Sequence, residues 1–194
     1  MKKTSGLILS VLLAAPVLAF GATYKIDSAH TYPQFDIRHL QFSMLHGQFN
    51  HTTGTITMNR EKHLGSVEVT IDVKSIDTGD AQRNKDLLAP SFFDVGKYPT
   101  ITYKSTKVVY HGKDAATVQG KLTIKGHTRP VTLHVSRIHC GPDPFSKGTR
   151  CGFDATAEIN RTQFDVSGDP GLIPNSVALV INADAVAPPH SKED

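Results

Sequence analysis

Apolar and polar residues alternate along most of the chain. In SVEVTIDVKS, Val67, Val69, Ile71 and Val73 share one face, and Glu68, Thr70, Asp72 and Lys74 share the other. TITYKSTKVV sets Ile101 and Tyr103 against Thr102 and Lys104, and VQGKLTIKG sets Val118, Leu122 and Ile124 against Gln119, Lys121, Thr123 and Lys125. PVTLHVSR contributes Val131, Leu133 and Val135. CGFDATAEIN contributes Phe153, Ala155, Ala157 and Ile159, and SVALVINADA contributes Val177, Leu179, Ile181 and Ala183. Earlier, QFDIRHL aligns Phe35 with Ile37, and HGQFNHTTGTITMN supplies Phe49, Ile56 and Met58. A period of two repeated this often predicts half-buried antiparallel strands. With a short run at Tyr24–Ile26 the count is eight or nine. Turn chemistry separates them at Asn59–Gly65, Tyr110–Lys113 and Lys125–His127. Many short strands in one domain predict an all-β barrel or sandwich.

One stretch departs from the pattern. From Asp80 to Pro99 there is no alternation. Asp80 is placed to cap a short helix running to Leu88, which Pro90 ends, and Ser91 to cap a second turn carrying Phe92 and Phe93. A helical connection near residues 80–95 would cover one end of a barrel, and could border a ligand entrance. An eight-stranded barrel is either filled by side chains or holds one small ligand. Gly120, Ala155, Ala157, Ala183 and Ala185 fall on inward faces; such small residues either interdigitate with large ones or leave an apolar void.

The chain is 194 residues long, enough for one domain with a short appendage. The appendage reads as a secretory signal over residues 1–21: Met1-Lys2-Lys3, then about fourteen largely apolar residues from Leu7 to Phe20. That run is shorter than the ~20 residues of a membrane span. Small residues allow cleavage before Ala22, with cleavage after Ala19 as the rival, leaving a mature domain at 22–194. Loss of Lys2 and Lys3 lowers the net charge from +3 to +1. A nearly neutral chain with no Trp argues against a nucleic-acid partner. Export also favours pairing of the two cysteines, Cys140 and Cys151, across a Gly- and Pro-rich spacer, a staple contributing roughly 2–3 kcal/mol.

Catalytic chemistry is not legible. There is no nucleophile elbow, phosphate-binding glycine loop or zinc-binding helix motif, and the ten His are scattered singly. The chain reads as a non-enzyme with no metal site.

The segments YKIDSAH (Tyr24–His30), FDIRHL (Phe35–Leu40), HGQFNHTTGTI (His46–Ile56), SIDTGDAQRNKDLLAPSFFDVGKYPTITYKST (Ser75–Thr106), KGHTRPVTL (Lys125–Leu133) and GFDATAEINRTQFDV (Gly152–Val166) resemble the YceI-like family of polyisoprenoid-binding proteins. The resemblance spans the whole mature chain. It implies an extended, lipocalin-like, eight-stranded antiparallel barrel in the periplasm, with an apolar tunnel for an isoprenoid or fatty-acyl amphiphile, such as a quinone or prenyl phosphate. By position in that barrel, the tunnel would be lined by Phe35, Ile37, Phe49, Val69, Ile71, Phe92, Phe93, Ile101, Tyr103, Leu122, Leu133, Phe153, Ala155, Ala157, Leu179 and Ile181. Arg38, His39 and Arg83 are the candidates to meet a polar head group. The expected partner is the bound lipid, with transient membrane contact for its exchange, in a monomer or homodimer. The competing readings are a periplasmic enzyme acting on a lipid, and a stress protein with a filled core and no ligand.

Overall fold

The computed structural model describes residues 21–188; the expected signal segment at 1–21 lies outside this range but for Gly21. Among the described residues eleven strands form one sheet. They are β1 (Ala22–Ile26), β2 (Tyr32–His39), β3 (Ser43–Phe49), β4 (Thr52–Asn59), β5 (Leu64–Asp72), β6 (Ile76–Asp77), β7 (Thr100–His111), β8 (Ala115–Ile124), β9 (His127–Pro142), β10 (Thr149–Asn160) and β11 (Ser176–Ala187). A single helix, α1 (Ala81–Leu87), joins β6 to β7.

The eleven strands make eight staves. β1 and β2 run on as one stave broken by a 3-10 turn at Ser28–His30. β1 pairs with the end of β11 (Lys25 opposite Val186), and β2 with its beginning (Asn182 opposite Tyr32). β3 and β4 make the next stave, and β5 and β6 the third. β7 to β11 follow in order, so contact of β1 with both β4 and β11 closes an antiparallel barrel. Closure removes the free sheet edges along the body of the barrel. The predicted count of eight or nine strands is therefore close to the number of staves. The three breaks are stitched together: Asn50 donates its N–H to Ser75 O, Asp72 N–H to His51 O, and Thr52 N–H to Ser28 Oγ.

Alternation puts Ile56, Ile101, Val118, Leu122, Val131 and Val135 in one buried core. Two β-bulges then shift the inward parity, one between Ser105 and Lys107 and one opposite Asp154 and Ala155. Beyond them Val108, Tyr110 and Ile138 face inward, which strict alternation from Tyr103 or Val135 does not forecast. The disulfide Cys140–Cys151 forms between directly opposed residues of β9 and β10.

The helical connection forms as expected in its first half. Asp80 accepts the Arg83 N–H at 2.7 Å, and α1 stops before Pro90. The second half differs. No helical turn starts at Ser91; Phe93 N–H donates back to Leu87 O and Val95 N–H to Leu88 O, folding the segment onto α1. This arrangement points Phe92 and Phe93 at the cavity.

Candidate ligand cavity

The mouth end of the barrel collects four connections: the β2–β3 turn, the α1 connection, the β8–β9 turn and the segment 161–175 before β11. Three of them are locked together over the opening. Lys125, buried in the β8–β9 turn, donates Nζ to Pro90 O at 2.8 Å and Asp165 O at 2.7 Å, and pairs with the Asp165 carboxylate at 2.9 Å. That contact holds the Asp165 carboxyl below its usual range. Gly168 N–H donates to Ser91 O. Arg161 is 5% exposed and gives its guanidinium to the carbonyls of Val166, Gly168, Ile173 and Pro174, fixing the whole connection; burial pushes its pKa down.

Behind this cover lies a cavity of about 400 Å³, within the ~300–1,000 Å³ of small-ligand sites. Its lining runs from His39, Leu45, Asp86 and Asp169 at the mouth to Met58, Gly65, Tyr110 and Ile138 at the other end. From Ile101 to Tyr110 along β7 that is roughly 30 Å of strand at ~3.3 Å per residue. The wall is almost wholly aliphatic and aromatic. Phe35, Phe49 and Phe93 form a chain of rings, with centroids 6.0 Å and 5.9 Å apart. Thr52 Oγ1 is buried on this wall with no hydrogen-bond partner among the described residues.

The cavity brings together Phe35, Ile37, Phe49, Val69, Ile71, Phe92, Phe93, Ile101, Tyr103, Leu122, Leu133, Phe153, Ala155, Leu179 and Ile181. Ala157 is a correction. It packs against the core opposite Leu179, and its methyl stops short of the cavity that Leu179 reaches. Gly120 and Ala185 take the interdigitated outcome of the two that their small size left open. The Tyr103 ring occupies the space at Gly120, its hydroxyl donating toward Val118 O and Val131 O, and Ala185 is fully buried in packed core. Burial pushes the Tyr103 hydroxyl up to about 12, so it stays a neutral donor.

The head-group candidates separate by strand geometry. His39 borders the mouth, while its neighbour Arg38 is exposed on the opposite face of β2 and does not line the cavity. Arg83 lines the cavity, but its Nε donates to Thr78 Oγ1 and Nη2 to Thr78 O, so the same guanidinium anchors the start of α1. Asp86, Arg161 and Asp169 were not foreseen. They stand in a helix and a connection, where no two-residue period signals orientation. Among the described residues no group of three or more His, Cys, Asp or Glu is placed to hold a metal.

A closed eight-stave antiparallel barrel, hollow along an apolar axis and covered at one end, defines the class of small-ligand binding barrels. The chain belongs to the YceI-like domain family, which matches residues 24–185. It is 36% identical to a UPF0312 protein of Pseudomonas paraeruginosa, over 96% of this chain and 98% of that one. It is 37% identical to Protein YceI of Salmonella newport, over 95% and 97%. Among solved structures, BcnA of Burkholderia cenocepacia superposes with a TM-score of 0.74 at 26% identity, covering 82% of this chain and 99% of that one. A polyisoprenoid binding domain from Saccharophagus degradans superposes with a TM-score of 0.62 at 17% identity, covering 86% and 99%; at that identity the likeness concerns the fold.

Proposed function

We propose that the protein is an exported, non-catalytic carrier that holds a long-tailed isoprenoid amphiphile, of the quinone or prenyl phosphate type, along the barrel axis. The observation that carries this reading is the apolar cavity running the length of the barrel with its few charged groups at the covered mouth. About ten buried methylenes match ~8 kcal/mol, the scale of micromolar binding, before ordering costs. Affinity would then come from the tail, and His39, Arg83 and Asp86 would meet the head. Membership of the YceI-like family supports the reading, as does the fold shared with a domain described as polyisoprenoid-binding. The basic start and short apolar run of residues 1–21, and a disulfide that persists in oxidising compartments, support a periplasmic location.

Organic extraction and native mass spectrometry of protein taken from the periplasm test the proposal. The expected result is a mature chain starting at Ala22 that carries an extractable isoprenoid amphiphile. A chain that neither co-purifies with nor takes up any such lipid would overturn it.

A further inference from the structure

The large apolar side chains left in solvent are concentrated where the cavity opens. Among the described residues six are exposed, and four of these, Leu40, Phe42, Met44 and Leu172, stand at the mouth end. They sit on two separate elements, the β2–β3 hairpin and the connection before β11. Phe42 is 88% exposed. Their close neighbours in the chain, His39, Leu45 and Ile173, line the cavity, so the patch adjoins the entrance.

The hairpin also projects. β2 loses its β11 partner after Asp36, and β3 meets β6 only at Gln48 and Phe49; beyond those points the two strands pair with each other alone. Its turn is costly. Phe42 N–H donates to His39 O at 2.9 Å across Leu40 and Gln41, both left-handed, with φ of 49° and 67°. That geometry is the I′ turn, which favours Asn-Gly and strains a bulky residue such as Leu. Backbone strain at Leu40 and Gln41 therefore adjoins the exposed apolar side chains of Leu40, Phe42 and Met44, a combination that folding in water does not favour.

We propose that the mouth end docks onto a lipid bilayer, with Leu40, Phe42 and Met44 entering the acyl layer so that the cavity opens toward the lipid phase. This deepens the carrier reading, on which it rests, by naming the source from which an insoluble amphiphile enters. Two narrow loop tips suit a deformable lipid surface. Four exposed apolar side chains fall well short of the ~20–30 residues a side of a stable protein interface, which argues against a second copy as occupant. Arg38, turned to solvent on the same hairpin, is placed to meet a lipid phosphate. In the lining at the mouth Arg83 stands against Asp86 and Asp169, so apolar insertion rather than positive charge would carry the binding, which should depend weakly on salt.

The chain contains no Trp, so Phe42→Trp introduces a single indole at the tip. With the full exported chain and phosphatidylcholine vesicles brominated on their acyl chains, its emission should shift to the blue and be quenched. Phe145→Trp, 83% exposed on the β9–β10 loop at the opposite end, should stay unchanged. Replacing the tip by Leu40→Asn, Gln41→Gly and Phe42→Ser should weaken vesicle binding by about tenfold or more, the weight of one buried aromatic side chain, while the melting temperature holds or rises. An unquenched Phe42→Trp indole in protein that still carries extractable amphiphile would overturn the docking and leave the carrier reading intact. Quenching in protein with an empty cavity would support the docking and count against the carrier. An indole already buried without vesicles, with a doubled molecular mass, would make the occupant a second copy and overturn the proposal.

Discussion

Glycines opposite aromatic rings shape the cavity wall. A Cβ on Gly120 would stand 2.4 Å from Tyr103 Cζ, one on Gly47 2.3 Å from Phe35 Cζ, and one on Gly168 2.3 Å from Phe92 Cζ. In each case the missing side chain makes room for a ring that also faces the cavity, as aromatic residues cover glycines in sheets generally. Small residues on an inward face are therefore no direct measure of empty space. Gly120→Ala should destabilise the fold by about 1–3 kcal/mol, because Tyr103 is held between two strands by its hydroxyl and has little room to yield. Urea unfolding of the parent and the variant checks this; unchanged stability would mean that the ring moves aside freely.

Single cations tie the elements together at the barrel ends. At the end opposite the mouth Arg150 on β10 pairs with Asp27 after β1, Asp143 after β9 and Asp184 on β11, at 2.7, 2.9 and 3.0 Å. The Arg150 hydrogen bond holds the Asp27 carboxyl below its usual value; contacts with Ser146 and then Arg150 do the same for Asp143. Folded-state values below the unfolded ones stabilise the protein above the ordinary aspartate range, and that stabilisation is lost as pH falls through the depressed values. The stability gap between the parent and Arg150→Gln should thus be widest near neutral pH and shrink below about pH 4. Denaturant midpoints across that range would show it, and a gap independent of pH would place the role of Arg150 in packing instead.

For the whole molecule the decisive property is whether the hollow axis is used. Ala155 and Ala157 lie two residues apart on β10, yet only Ala155 reaches the cavity. Ala155→Phe should fill tunnel space, lowering the lipid content sharply with little change in melting temperature. Ala157→Phe should overpack the wall, costing about 1–3 kcal/mol and leaving the lipid content near that of the parent. Melting temperature and extracted lipid, measured together for both variants, separate the two effects. Equal lipid content in all three proteins would mean that the ligand does not pass Ala155.

The two-residue period alone determined an all-β barrel or sandwich, most of the staves, and thirteen strand positions of the wall from Phe35 to Ile181, because alternation encodes which side chains face inward wherever a strand is regular. Asp80 and Pro90 likewise marked the ends of α1, since capping and ring closure act within a few residues. Tertiary structure decided the rest. The bulge after Ser105 turned Val108 and Tyr110 inward, and cross-strand contact filled Gly120 with Tyr103. The lock of Lys125 on Pro90 and Asp165, and of Arg161 on four carbonyls, joins residues up to 40 positions apart in the chain. A hollow axis is a property of packing between staves. It depends on where every ring comes to rest, and no local period carries that information.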